Sequence, residues 1–388
     1  MRAEPGRGEA RAQPDRSPGP DLFCGRGRKG THEMASMTPR ERVLTACRHE
    51  QPDRVPLQVY LTPEIQQQLQ DHFGGDDVLE ALGIDLRNVR APYLGESRPG
   101  PGMPGEADHY DLWGTGYTIT QYRGGTYGEA TELPFAAIDS MEQVEAYPWP
   151  DPDDYDYSGL REHAEALGAY PVIFGDAGIP DIVNGVSRGR GMERVLIDIM
   201  TADPVGTAII DRRVDHYYEH CRRGLEAGGG AIDILALGED CGDQRGRLFP
   251  PAIFDEFFVP RIQPFIDLAH EHGALAMMHS CGDTHDIMPT FIEMGLDILD
   301  AMQPEPEGMD PPTIKRLYGD RLTFCGLVST QQTLPHGSVE DVRREVRERI
   351  EIMGAGGGYI CAPAHCIQPD TPLENVLAMY DEALNYRP

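Results

Sequence analysis

Two residues in the stretch L-A-M-M-H-S-C-G-D (275–283) can bind a metal ion. His279 and Cys281 come at the end of a short apolar run and are separated by one residue. Alternate residues of a β-strand point to the same face, so this imidazole and this thiol are expected to project together. Nitrogen with sulfur suits zinc above other divalent metals. The pair could instead be a half-buried histidine beside an inert thiol. The position of the pair in the chain has to decide between a metal site and this alternative.

The pair belongs to a repeating pattern of strands and helices. Most of the predicted strands are continuous apolar runs, as expected for strands buried on both faces, and amphipathic stretches separate several of them. Eight strands alternating with helices predict an α/β fold, a (β/α)8 TIM barrel. A long insertion, residues 90–170, separates strands two and three, and we expect it to form a lid over the barrel mouth. The predicted strands are Arg54–Tyr60, Ile84–Val89, Pro171–Gly175, Ile232–Leu237, Leu275–His279, Leu296–Met302, Leu322–Val328 and Gly358–Cys361.

Further metal-binding side chains follow other predicted strands. Chemistry in such barrels takes place at the carboxyl ends of the strands, where strand five ends in His279 and Cys281. Strand eight ends in P-A-H-C, where His365 and Cys366 compete to be the next ligand because adjacent residues cannot easily both point inward, and we prefer His365. Glu239, after strand four, is predicted to be the fourth ligand or a base. This clustering favours a divalent metal over a metal-free polar pocket.

Other polar residues at the strand ends are predicted to support this site. Asp240 and Asp283 are expected to orient the ligands, because metal-bound histidines usually donate their second N–H to a carboxylate or a carbonyl. We assign catalytic roles to Glu239 and Asp240, and substrate binding to Gln303, Asp283 and Tyr60. The run G-V-S-R-G-R-G (185–191) predicts either a flexible loop or contact with an anion through its two arginines.

Composition limits the possible partners and the location of the protein. The 388 residues carry 64 acidic and 34 basic side chains, a net charge of -30, which argues against nucleic acid or an anionic membrane as partner. No apolar run is long enough to cross a membrane. Eight scattered cysteines and the lack of a secretory signal predict reduced thiols in the cytoplasm. Residues 1–36, rich in Arg, Gly and Pro, are predicted to be a disordered tail, and residues 37–388 the barrel domain.

Three segments together resemble a known family. They are T-P-R-E-R-V-L-T-A-C-R-H-E-Q-P-D-R-V-P (38–56), H-S-C-G-D (279–283) and P-A-H-C-I-Q-P-D-T-P-L-E-N-V (363–376). The chain from Thr38 to its end resembles the uroporphyrinogen decarboxylase superfamily. This resemblance independently implies a (β/α)8 barrel with its pocket at the carboxyl-terminal mouth.

The superfamily has two branches that imply different activities. The decarboxylases use an R-Q-A-G-R-Y segment after the first strand, whereas residues 55–62 read V-P-L-Q-V-Y-L-T, and we assign no catalytic role to Asp85. The other branch resembles zinc-dependent, cobalamin-linked methyltransferases that carry His-x-Cys and a downstream Cys. His279 and Cys281 match the first two, and His365 occupies the place of the third, with Cys366 next to it.

The resemblance therefore implies a zinc-dependent methyltransferase that moves a methyl group between a small molecule and a separate corrinoid protein carrying cobalamin. Two alternatives remain open. One is a decarboxylase of uroporphyrinogen or of another carboxylated small molecule, and the other is a non-catalytic barrel that binds a tetrapyrrole or an acid.

Overall fold

The computed structural model describes residues 36–75, 77–122 and 124–387, so the predicted tail lies outside the described residues except for Ser36. No helix within these ranges is both long and apolar enough to cross a membrane. The strands are β1 (Arg87–Val89), β2 (His109–Tyr110), β3 (Gly116–Tyr122), β4 (Gly125–Glu132), β5 (Val172–Pro180), β6 (Ile234–Gly238), β7 (Leu275–His279), β8 (Ile298–Met302), β9 (Thr323–Val328) and β10 (Tyr359–Pro363).

Helices separate most of the strands. They are α1 (Pro39–Cys47), α2 (Pro63–His72), α3 (Val78–Ala81), α4 (Met141–Ala146), α5 (Leu160–Ala166), α6 (Ile182–Arg190), α7 (Met192–Thr201), α8 (Pro204–Gly228), α9 (Pro251–Ile253), α10 (Val259–Glu271), α11 (Met288–Met294), α12 (Pro311–Tyr318), α13 (Thr333–His336), α14 (Val339–Met353) and α15 (Leu373–Asn385). A 3-10 turn covers Pro152–Asp154, and a π-helical turn covers Phe254–Phe258.

Seven strands form one curled parallel sheet in the order β1-β5-β6-β7-β8-β9-β10. The first predicted strand, 54–60, is not a regular strand, which corrects the prediction of eight. Leu57 in this segment forms an isolated parallel bridge with Cys361 of β10, and Leu61 just after it forms one with Ile367. The Leu57 carbonyl also accepts the Asp85 N–H at 3.0 Å. A proline within this segment lacks an N–H, which limits the ladder that it can form.

The sheet has an apolar layer on each face. The larger cluster packs between the strands and the surrounding helices. A smaller cluster lies on the opposite, inner face and draws residues from or beside each strand of the parallel sheet, as expected for a curled sheet whose strands are buried on both sides. Its strand-borne members are Ile173, Ile234, Met277, Ile298, Cys325, Ile360 and Ala362, joined by Val43 and Leu86.

Between β1 and β5 the chain forms a separate antiparallel sheet of β2, β3 and β4. Strands β3 and β4 form a hairpin, with Thr120 opposite Tyr127. Its tip reaches the start of α2, where the Thr126 N–H donates to Glu64 Oε1 at 3.1 Å. The residue before β4, Gly124, has φ +101°, which suits glycine at the turn.

Candidate metal and substrate site

Three of the five side chains that were considered as metal ligands meet at the carboxyl ends of two strands. His279 ends β7, Cys281 follows two residues later, and His365 lies two residues beyond β10. Their donor atoms all lie within 4.8 Å of one another, and His279 Nε2 is 3.2 Å from Cys281 Sγ. Cys366 is not a member of this group, which we call the triad, although it lines the adjacent cavity.

A close backbone contact fixes the turn that follows Cys281. Gly282 has φ +82°, and a Cβ atom there would lie 2.5 Å from the backbone of Gly242. Only glycine allows both the left-handed conformation and this approach. The loops after β6 and β7 are therefore pressed together next to the triad.

Two carboxylates, those of Asp300 and Asp240, contact the triad residues and fix their positions. Asp300 Oδ2 lies 3.4 Å from His279 Nδ1, and Tyr60 donates its hydroxyl to Asp300 Oδ1 at 2.5 Å. Asp240 Oδ1 accepts the Cys281 N–H at 2.9 Å. Asp300 thus orients His279, and it was not predicted from the sequence because it lies inside an apolar strand. Asp240 orients the backbone of Cys281 through the hydrogen bond to its N–H. Tyr60, predicted to bind substrate, contacts Asp300 and also lines the cavity.

The local charges shift the imidazole pKa values in opposite directions. Burial lowers the pKa of His279, but its hydrogen bonds to Asp300 and Cys281 outweigh burial and raise the pKa well above its usual value. Burial, followed by the nearby His279 charge, lowers the pKa of His365. Three protein ligands are usual in catalytic zinc sites, and imidazole nitrogen and thiolate sulfur are both zinc donors, so these residues fit zinc.

The triad borders a cavity of about 550 Å³, the triad cavity, which His279, His365 and Cys366 line. Glu239 also lines it but is only 1% exposed, and its two oxygens accept the N–H groups of Ile182 and Val183 at 2.5 and 3.2 Å. Burial, and then the neighbouring Asp181 carboxylate, raises the pKa of Glu239 well above its usual value. Asp181 is a second buried carboxyl on this wall that was not predicted from the sequence.

Gln303 and Asp283 lie outside the walls of this cavity. Gln303 Oε1 accepts the Gly282 N–H at 3.0 Å. Asp283 accepts the N–H groups of His285 and Gly308 at 3.0 and 3.2 Å. Both side chains therefore shape the loops beside the triad, and their role in substrate binding stays a prediction.

A second cavity of about 490 Å³, the aromatic cavity, adjoins the first, and both are lined by Arg90, Arg188 and Asp176. The run 185–191, for which a flexible loop was one of two predictions, is mostly helix α6. Of its two arginines, Arg188 lines the cavities, whereas Arg190 is buried and pairs with Asp198. The sequence did not single out the aromatic walls, because their residues come from separate parts of the chain, namely the 90–170 segment, β5 and α8.

Two buried histidines in this region are expected to make stability fall in acid. Burial lowers the pKa of both His216 and His220 to about 4, from an ordinary 6.5. Above pH 6.5 neither state binds the proton, whereas between 6.5 and 4 only the unfolded chain does, so the free energy of unfolding falls by up to about 3 kcal/mol per histidine. Urea unfolding between pH 7 and pH 4.5 measures this loss. His220→Phe should remove about half of it, while exposed His163→Gln should not, and an unchanged loss in the first variant contradicts the assignment.

Comparison with known proteins gives the family. Residues 136–386, which carry β5 to β10 and the whole triad, match the family model described as Uroporphyrinogen decarboxylase (URO-D). The chain belongs to the URO-D family.

Other relatives of this URO-D family chain are methyltransferases. It is 28% identical over 155 residues to Methylcobamide:CoM methyltransferase MtaA from Methanosarcina barkeri, covering 40% of this chain and 41% of that protein. MtaA from the Fusaro strain of that species gives 28% over 158 residues, with the same coverage. The chain thus spans about two fifths of the length of these curated relatives.

A solved structure, "methyltransferase from Methanosarcina mazei", matches with a TM-score of 0.60 and 19% identity. The match covers 90% of this chain and 98% of that one. At this identity the likeness describes the fold alone, and it extends over almost all of the described residues.

Proposed function

We propose that this protein is a zinc-dependent methyltransferase that moves a methyl group between a small molecule and a corrinoid protein. The observation that carries the proposal is the convergence of His279, Cys281 and His365 donor atoms within 4.8 Å at the strand ends. The methylcobamide methyltransferases among its relatives support the reaction class. For the scaffold we propose a (β/α)8 barrel in which 54–60 is the first strand and 90–170 an insertion.

In this mechanism the three triad side chains would bind the metal, and neighbouring carboxylates fix the positions of these side chains. Asp300 fixes the His279 ring through Nδ1, which leaves Nε2 for the metal, and Asp240 fixes the backbone of Cys281. When bound, zinc supplies Lewis acidity that lowers a thiol pKa or polarises a methyl-bearing oxygen. The triad cavity receives the small molecule and limits its contact with water. Cobalamin arrives on a separate protein in this proposal, and Glu239 and Asp240 remain predicted catalytic groups.

Removal and return of zinc tests this function. Protein purified without an affinity tag is expected to contain about one zinc per chain by mass spectrometry, as three protein ligands predict. Chelation should abolish methyl transfer from methylcobalamin to a panel of thiols and methyl acceptors, and one equivalent of zinc should restore it. Protein that takes up no zinc when zinc is offered back would refute the mechanism.

A second candidate is a decarboxylase of uroporphyrinogen or another carboxylated small molecule. The observation that favours it is the presence of three arginines, Arg90, Arg188 and Arg213, in the walls of the aromatic cavity. Carboxylates are well matched by guanidinium groups. This candidate predicts release of carbon dioxide from uroporphyrinogen that continues after chelation, whereas methyl transfer stops.

A further inference from the structure

One end of a buried arginine is left without a partner at the wall of the aromatic cavity. Arg213, on α8, is 5% exposed, and it donates through Nε to the Pro180 carbonyl and through Nη2 to the Gly178 carbonyl at 2.9 Å. Its Nη1 makes no hydrogen bond, and its guanidinium no ion pair, with any described residue. Nη1 is not enclosed by protein atoms, so the guanidinium presents a free donor to the cavity, with the charges of Asp181 and Asp111 nearby. Because this side chain lines the cavity, the unpaired end indicates a place for an anion.

The seat of this guanidinium is rigid. It lies over two aromatic rings, 5.2 Å from the centroid of Trp113 and 4.8 Å from that of Tyr217. On another side it packs against Gly185 of α6, where a Cβ atom would lie only 2.3 Å from Nη2. A side chain at position 185 would displace the arginine. The glycine surface of α6 and the two rings therefore fix the guanidinium at the cavity wall.

The charges around the aromatic cavity favour an anion, against the net charge of -30 of the whole chain. Three guanidinium groups line it against two carboxylates, those of Asp111 and Asp176. Asp111 is occupied, because it accepts the N–H groups of Trp113 and Thr115 and the hydroxyl of Tyr117. Asp176 accepts the Gly178 N–H at 2.8 Å.

The two remaining arginines donate no hydrogen bond to a described residue, although Arg188 forms a long ion pair with Asp181. The Arg90 guanidinium makes no hydrogen bond or ion pair within the described part of the chain, and it lies on the wall that both cavities share. Arg188 has one carboxylate neighbour, Asp181, whose oxygen is 3.7 Å from Nη1, beyond hydrogen-bond length. His220 lines the cavity as a neutral ring near pH 7, since burial lowers its pKa to about 4.

The rest of the wall is flat and largely aromatic. Rings on several sides are suited to stack on a planar group, and a cavity of about 490 Å³ has room for a single small ring with its substituents. The rings on this wall are those of Tyr93, Trp113, Tyr117, Tyr155, Phe174 and Tyr217.

We propose that the aromatic cavity is a binding site for an aromatic carboxylate, whose anionic group pairs with Arg213 Nη1 and Arg188 while its ring lies among the aromatic side chains. Because the two cavities share a wall, a substituent on the ring extends towards the triad. The identity of the reacting end rests on the proposed methyl transfer, but the binding itself does not need zinc.

Calorimetric titration of the full chain with benzoate at pH 7, after chelation of metals, tests the site. Benzoate is expected to bind, and benzamide, which lacks the charge, about tenfold or more weakly, because a charge-assisted hydrogen bond is lost. Cyclohexanecarboxylate, which keeps the charge but not the flat ring, should also bind more weakly. No heat with millimolar benzoate, or equal binding of benzamide, would overturn the assignment.

Two variants and a matched control locate the binding. Arg188→Gln, a largely exposed change that leaves the buried seat intact, is expected to weaken benzoate binding about tenfold. Arg213→Lys should weaken it further, and its folding is checked by circular dichroism. Arg321→Gln removes an exposed arginine elsewhere and should have no effect; an equal loss in this control refutes the site. If benzoate does not bind but zinc is taken up, the proposed methyl transfer is unaffected and only this site is refuted. If benzoate binds but zinc is not taken up, the binding site is supported and the zinc mechanism is refuted.

Discussion

Replacing Asp85 with asparagine is expected to lower the free energy of unfolding by about 3–5 kcal/mol, because it breaks a buried ion-pair network. The Asp85 side chain is fully buried, and it accepts from Arg42 Nη1 at 2.6 Å and from Arg54 Nη1 at 2.7 Å. Its Oδ2 also accepts the Leu57 N–H at 2.8 Å. Asparagine keeps the shape but has one acceptor oxygen, so a buried guanidinium then faces an N–H₂ group.

Urea unfolding followed by circular dichroism measures this loss. The matched control is Asp320→Asn, which removes an equivalent charge from an exposed pair with Arg321 and should cost less than about 1 kcal/mol. Methyl transfer per folded molecule should be unchanged in Asp85→Asn, because this carboxylate holds residues 54–57 against the start of the sheet. A loss of activity with normal stability would instead mark Asp85 as a catalytic group.

Replacing Cys281 with alanine is expected to remove bound zinc and to lower methyl transfer by a factor of about 10³ or more, since Lewis-acid stabilisation is worth several kcal/mol. The fold should survive, because Cys281 is only half-buried and lies in a loop. Zinc content by mass spectrometry, thermal unfolding and the methylcobalamin assay measure the three effects. Global unfolding of the variant would show that this cysteine is structural.

Two further variants refine this test. Cys366→Ala should retain zinc if His365 is the third ligand, and a loss of zinc would assign that role to Cys366. Tyr60→Phe removes the hydroxyl that holds Asp300, and we expect zinc affinity to fall about tenfold, as for other outer-shell partners of metal-bound histidines. Tyr110→Phe is the control, because it also removes a tyrosine–carboxylate hydrogen bond, but in the antiparallel sheet. Equal effects of the two tyrosine changes would contradict the role of Tyr60.

Several features follow from the sequence because they depend on neighbours along the chain. The capping box at Thr38 and Glu41 begins α1 and can be read from the sequence, since its hydrogen bonds span three residues. His279 and Cys281 approach each other as predicted, because only one residue separates them where β7 ends. The apolar runs identify the parallel strands, although the proline in 54–60 reduces the first one to bridges.

Tertiary structure alone decides what reaches the site from distant parts of the chain. His365 and not Cys366 joins the triad, because the path of the loop after β10 sets which side chain turns inward. In the sequence Asp300 looks like part of an apolar strand. The register of β8 beside β7 places it next to His279. The unpaired end of Arg213 depends on the packing of α8 against α6 and the loop around Gly178. Periodicity constrains residues within one element, whereas contacts between elements depend on register, curl and loop paths that no local pattern encodes.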